Sequence, residues 1–284
     1  MIYICLMAVL ATMKVTLQGY FSKGRVSLVN DSLMLNSMIF ISLFISMSIL
    51  FLREIPPLSV IMYALVLGLS NLAFQCFYTF AFKTGSVSLT TTINQFNFIY
   101  PMIFGIIAYN ERISFFSTIG ILLASVGLPL VTFKKSDKAS NGKWLLFTLL
   151  ASVFSGVSNI IMLMFTHTQY VGMDKLLLLT SYFFGAVVSF IMAKSIKIKE
   201  KSNFYIDTKL ILGVIAIGII LAMHNLTIMK GITVMQSGIL HSFANALTII
   251  LITLTDFILY KQKLTKTQIV GIAIILFSII FINL

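Results

Sequence analysis

The sequence predicts an all-α integral membrane protein with ten transmembrane helices arranged as two inverted five-helix repeats, and three observations carry that prediction. Of its 284 residues 59% are hydrophobic and only 10% charged, with a mean hydropathy of +1.04. That is too apolar for an ordinary soluble domain. Ten runs of about 20 mostly apolar residues, the length an α-helix needs to cross a bilayer, follow one another with short gaps. Finally, the stretch 86–114, SVSLTTTINQFNFIYPMIFGIIAYNERIS, has a counterpart at 237–265, SGILHSFANALTIILITLTDFILYKQKLT, 151 residues later.

In order, the runs are 2–22, 32–52, 57–82, 86–108 and 115–133, then 144–166, 175–193, 209–230, 235–259 and 267–283. The first lacks a basic start and a small-residue cleavage site, so it reads as a retained helix. The lysine-bearing segment 134–143, KKSDKASNGK, is the natural linker between a first repeat at 1–133 and a second at 144–284. Five helices per repeat place the repeats in opposite orientations. Cys5 and Cys76 both lie within apolar runs and are expected to be free thiols.

Within the fourth run Thr90, Thr91, Asn94, Asn97 and Pro101 recur at three- and four-residue spacing and so share one face of a helix. Hydroxyls and amides on such a face either bond a neighbouring helix or line a polar cavity. Duplication favours the cavity: the repeat pairs Thr90 with His241, Thr91 with Ser242, Asn94 with Asn245, and Asn97 with Thr248. In membrane proteins built from inverted repeats the substrate site lies between them.

The net charge of +12 does not point to nucleic acid, because the cations sit in the gaps between apolar runs. Of 20 Lys and Arg residues, 15 fall in odd-numbered loops and four, Arg53, Arg112, Lys175 and Lys230, in even ones. The positive-inside rule then puts the odd loops in the cytoplasm and both termini outside. The remaining cation is Lys14, within the first run. A charge at that depth costs at least about 2.5 to 3.5 kcal/mol on insertion scales and is by default functional. Either it lines the cavity, with Gln18 one turn on, or it snorkels to the cytoplasmic interface. Aligning Ala8 with Ala151 matches Thr12 and Thr16 to Ser155 and Asn159, which would turn the shared polar face away from Lys14.

Two halves that each close in a short turn before a last apolar helix, with NERIS at 110–114 as the better kept copy, resemble the EamA-type members of the drug/metabolite transporter superfamily. Those commonly carry a Gly-Glu-Arg-Leu-Thr-like signature at this place. Here its glycine is replaced by Asn110, and in the second copy, KQKLT, Gln262 stands where the Glu would be. The resemblance implies a bacterial plasma-membrane exporter. The first, third, fourth, sixth, eighth and ninth helices would surround a central cavity, with the fifth and tenth outside. Gly120, Ala124, Gly127, Gly271 and Ser278 suit close packing of those two outer helices.

The expected substrate-binding residues are Asn94, Asn97, Asn245, His241, Ser242, Lys14 and Gln18, together with Gln75, His224 and Asn225 on the third and eighth helices. Aligning Lys83 with Lys230 pairs Tyr78 with Asn225 and implies an extra helical turn before the ninth helix. The partners expected are a small polar metabolite, a coupling ion and the bilayer, with no cofactor or metal. Related small multidrug exporters use a Glu in their first helix, but no Asp or Glu precedes Asp31 here, so a polar, zwitterionic or anionic solute suits the site better than a lipophilic cation. Asp256 is the one carboxylate inside an apolar run and falls near the cytoplasmic end of its helix. A multidrug exporter and a non-transporting membrane partner or receptor stay open as alternatives. An enzyme is disfavoured, since there is no GxSxG elbow, HExxH pair or phosphate loop.

Overall fold

A computed structural model of the chain describes residues 2–27, 29–51, 55–85, 87–132, 142–170, 172–195, 204–260 and 265–282. The helices are α1 (Ile2–Arg25), α2 (Val29–Phe51), α3 (Leu58–Thr84), α4 (Val87–Gln95), α5 (Ile99–Tyr109), α6 (Phe115–Thr132), α7 (Gly142–Thr166), α8 (Asp174–Ser195), α9 (Thr208–Val234), α10 (Ser237–Tyr260) and α11 (Lys266–Ile282). No strand occurs among the described residues. Every apolar run is helical, and α4 and α5 share the fourth run. Among the described residues seven helices, α1, α2, α3, α7, α8, α9 and α10, are long and apolar enough to cross a membrane, while α6 and α11 are shorter apolar helices. The linker 134–143 lies outside the described residues except for its last two, as do Gln262 and Lys263 and the side chain of Asp256.

The fourth run breaks for a local reason. Proline has no N–H and its ring crowds the carbonyl four residues back, so Pro101 denies Asn97 its helical partner. Between α4 and α5 the chain tightens into a single 3-10 turn at Phe96–Phe98, and the Ile99 N–H bonds the Phe96 carbonyl, three residues back. That leaves the Gln95 carbonyl without the amide an α-helix would supply.

Helices of the first half pack mainly on helices of the second. α3 lies against α7 and α8, while α9 lies against α1 and α2; α4 and α5 lean on α7, and α10 leans on α1. α2 meets α8, and α6 meets α11. One core cluster accordingly draws Leu35 and Leu67 from the first half and Leu178, Ile217 and Leu240 from the second. In lipid such association rests on close van der Waals fit, so small residues mark the contacts. A Cβ on Gly68 of α3 would strike the Ser181 carbonyl oxygen of α8, and one on Gly218 of α9 would strike Ser42 of α2. Gly127 and Gly271 do the same for α6 and α11, each backed against the other helix, and Ala124 and Ser278 are buried there.

The turn after α5 shows why the related signature has a glycine. Asn110 ends α5 at φ 53 and ψ 34, in the left-handed region, where asparagine is the commonest substitute for glycine. The Glu111 N–H then returns to the Gly105 carbonyl at 3.1 Å, and the Glu111 carboxylate accepts from Ser237 Oγ at 3.0 Å. NERIS therefore ties the end of α5 to the first residue of α10. At the opposite end Asp207 caps α9 by accepting from the Leu210 N–H at 2.8 Å, and it pairs with Arg25 of α1 at 2.8 Å.

Candidate functional site

Where the halves interleave, a cavity of about 100 Å³ is left, lined from α1, α2, α3, α4, the 3-10 turn, α7, α8, α9 and α10. Neither α6 nor α11 reaches it. α2 and α8 contribute as well, through Phe40, Leu43 and Tyr182, so the cavity has more walls than the six helices expected.

Its polar lining is mostly amide: Asn71, Gln75, Asn94, Gln95, Asn97, Asn159, Asn225 and Asn245. Hydroxyls come from Tyr78, Ser155, Ser158, Tyr182 and Thr248, and imidazoles from His224 and His241. Among the described residues Lys14 is its only Lys or Arg, and no Asp or Glu is among the lining residues.

The 3-10 turn sets one wall. Asn245 Nδ2 on α10 donates to the freed Gln95 carbonyl at 2.6 Å and to Asn97 Oδ1 at 3.1 Å. Asn97 Nδ2 in turn donates to Ser155 Oγ on α7 at 2.6 Å. Three helices are thus joined at the point where one of them is broken. Higher on the same stripe the hydroxyls are used up by neighbours: Trp144 Nε1 donates to Thr90 Oγ1 at 2.7 Å, and Tyr78 OH to Thr91 Oγ1 at 3.2 Å. Asn94 Oδ1 and His241 Nε2 are buried and have no hydrogen-bond partner.

Opposite, Lys14 is 7% exposed and does not snorkel. Its Nζ lies 4.7 Å from the centre of the Phe74 ring and 5.1 Å from that of Tyr78, both on α3. Ring faces attract a desolvated cation. The other residues expected beside it behave differently. Gln18 is fully buried but stands behind the cavity wall, donating from Nε2 to Gln75 Oε1 at 2.7 Å. Ser242 is likewise set back, bonding the Ile239 carbonyl of its own helix at 3.2 Å. Both depart from the expectation for the same reason: a helical neighbour one position or one turn along points to another face or depth. On α9 Asn225 Nδ2 donates to Tyr182 OH at 2.8 Å, and His224 Nδ1 lies 3.5 Å from Asn225 Oδ1. Eight of the ten residues expected from sequence, all but Gln18 and Ser242, line the cavity.

The lining residues follow a different register from two of the alignments expected between the first and second parts of the chain. On α1 and α7 the cavity-facing positions pair Ala11 with Ser155, Lys14 with Ser158, and Val15 with Asn159, one residue away from the match of Ala8 with Ala151. One residue rotates a helix by about 100°, which moves the shared face onto Lys14. Thr12 and Thr16 instead bond the carbonyls of Ala8 and Thr12 on their own helix, at 2.8 and 2.9 Å. On α3 and α9 the pairs are Asn71 with Leu221, Phe74 with His224, Gln75 with Asn225, and Tyr78 with Ile228. These sit three residues from the lysine-based match, which is close to one turn, or about 4.5 Å along the axis. Gly68 and Gly218, the close-contact pair, obey the same register and would have revealed it in the sequence.

Asn159, Tyr182 and Ser158 were not among the expected residues. Asn159 stood out as the only amide in its apolar run; Tyr182 stands directly after Thr180 and Ser181, a short polar patch in a mostly apolar run.

Residues 2–133 match the sequence model of the EamA-like transporter family. A solved structure described only as a crystal structure of a protein is similar over 98% of this chain and 98% of its own, with a TM-score of 0.72 at 14% identity, and so shares the fold. No curated protein matches the sequence.

Proposed function

From the match of residues 2–133 to the EamA-like transporter family we propose that this membrane protein is a secondary transporter of the drug/metabolite transporter superfamily, moving a small polar metabolite through the central cavity by alternating access. The observation that carries the reading is the meeting of Asn94 and Asn245, matched by the repeat, in one amide-rich cavity between the halves. Amides offer both donors and acceptors, which suits a polar solute.

The chain is proposed to be ten transmembrane helices in two inverted repeats, 1–133 and 144–284. Exchanging the halves turns the contacts of α3 with α7 and α8 into those of α9 with α1 and α2, which supports a two-fold relation. Gly68 and Gly218 at matching contacts support it further. In such architectures the bundles rock about a fixed midplane site.

Export is the proposed direction, with the odd loops cytoplasmic in a bacterial plasma membrane. A multidrug exporter of lipophilic cations fits the cavity less well, because Lys14 would repel a cation and no carboxylate lines the wall.

Purified protein reconstituted in liposomes tests the reading. A solute panel sorted by charge is expected to contain a compound that shows saturable counterflow in the wild type and loses it in Asn94→Ala and Asn245→Ala that remain folded. Flux that is absent for every solute would favour a non-transporting partner or receptor, and flux that both variants leave unchanged would place the path away from Asn94 and Asn245. For orientation, Gln169→Cys should react with an impermeant thiol reagent from outside intact cells and Lys138→Cys should not.

A further inference from the structure

Among the described residues the cavity is lined by one basic side chain, Lys14, and by no acidic one, and that imbalance narrows the class of solute. Resting on the transport reading above, we infer that the substrate is a small hydroxylated monocarboxylate, with its carboxylate against Lys14 and its hydroxyls among the amides.

The charge argument starts at the ammonium. The Phe74 and Tyr78 rings lie beside Lys14 Nζ, but ring faces leave the three N–H donors of an ammonium without a lone pair to bond. No ion pair or hydrogen-bond acceptor accompanies Nζ among the described residues. A desolvated cation without a counter-ion is costly, and a single carboxylate offsets it through charge-assisted hydrogen bonds. A second carboxylate would restore the same cost with the opposite sign, so a dianion fits worse than a monoanion. A zwitterion brings an ammonium that meets no carboxylate in the lining and shares the space with Lys14. A neutral polyol leaves Lys14 as it was.

The hydroxyl argument rests on the orphaned atoms. Asn94 Oδ1 only accepts, so it calls for a donor on the solute, and it has no partner within the protein. His241 Nε2 is also without one, and it is a donor or an acceptor according to tautomer. A hydroxyl both donates and accepts, so in a solute with several of them one donates to Asn94 Oδ1 while another donates to or accepts from His241 Nε2 according to its tautomer. Ammonium and ether groups meet only one of those needs.

Calorimetric titration of the detergent-purified protein decides the matter, using gluconate and glycerate, then glycerol, serine, malate and tetraphenylphosphonium. Gluconate or glycerate is expected to bind, and Lys14→Met to weaken it about tenfold or more, while Lys14→Arg keeps most of the affinity. Unliganded melting curves confirm that the variants fold; should Lys14→Met not fold, the wild-type ranking of solutes decides. Preferential binding of serine, glycerol, malate or the phosphonium ion, undiminished gluconate binding by Lys14→Met, or no binding by any hydroxy acid would each overturn the inference. Counterflow in liposomes separates the two readings. Exchange of a solute from another class would leave transport standing while the inference falls. Lys14-dependent binding of gluconate without exchange would uphold the inference and remove transport.

Discussion

Asn245 on α10 donates from Nδ2 to the Gln95 carbonyl at 2.6 Å, occupying the acceptor that the 3-10 turn at Phe96–Phe98 withholds from the helix. One side chain of the second half thereby completes the backbone of the first. Asn245→Ala leaves the carbonyl of the buried Gln95 without a partner, which costs about 1–3 kcal/mol. Denaturation in mixed micelles should show that loss. A variant as stable as wild type would mean that the carbonyl finds another donor.

Gly68 and Gly218 test the relation between the halves. Alanine at either position would drive a Cβ into a facing helix, at Ser181 or Ser42. Overpacking of that kind costs about 1–3 kcal/mol. The two variants should lose similar amounts in melting temperature. A large loss at one and none at the other would speak against equivalent contacts.

Asn110 sits at φ 53. Glycine there removes the Cβ penalty and should leave stability unchanged or raise it. Valine in the left-handed region should cost about 1–2 kcal/mol, read as a lower melting temperature. Equal melting of N110G and N110V would show that the turn relaxes into another conformation.

Asp207 carries a pH dependence outside the membrane-spanning helices. The hydrogen bond from the Arg25 side chain, followed by that from the Leu210 N–H, holds its carboxyl below the usual carboxylate range. A group with a depressed folded pKa contributes stability above its unfolded value, near 4, and that contribution is lost as pH falls through the folded value. Asp207→Asn should therefore lower the melting temperature at neutral pH, with the difference from wild type shrinking on acidification below about pH 4. A gap of constant size from pH 7 to pH 3 would assign the effect to capping geometry instead of charge. The Asp207 side chain is 40% exposed, so added salt should narrow the neutral-pH gap as well.

Much of the architecture was legible because the bilayer imposes a length and a polarity that survive without knowledge of contacts. All ten apolar runs are helical, with ends within a few residues of those expected. Asn94 and Asn245 were legible through duplication. Pro101 was visible on the stripe, yet its consequence was not: a missing N–H is local, but the Asn245 side chain that takes up the freed Gln95 carbonyl comes from about 150 residues away.

By itself the sequence determined a membrane-embedded helical chain and the polar stripe of its fourth run, since each rests on composition or spacing within a run. Only the tertiary structure decided which polar groups face the cavity. Thr12 and Thr16 spend their hydroxyls on their own helix, a bond any helical threonine can make, so a polar side chain does not by itself mark the inner face. Lys14 could turn inward because α3 brings Phe74 and Tyr78 to its ammonium. A helix turns about 100° per residue, so its inner face is settled only when another helix comes to lie against it.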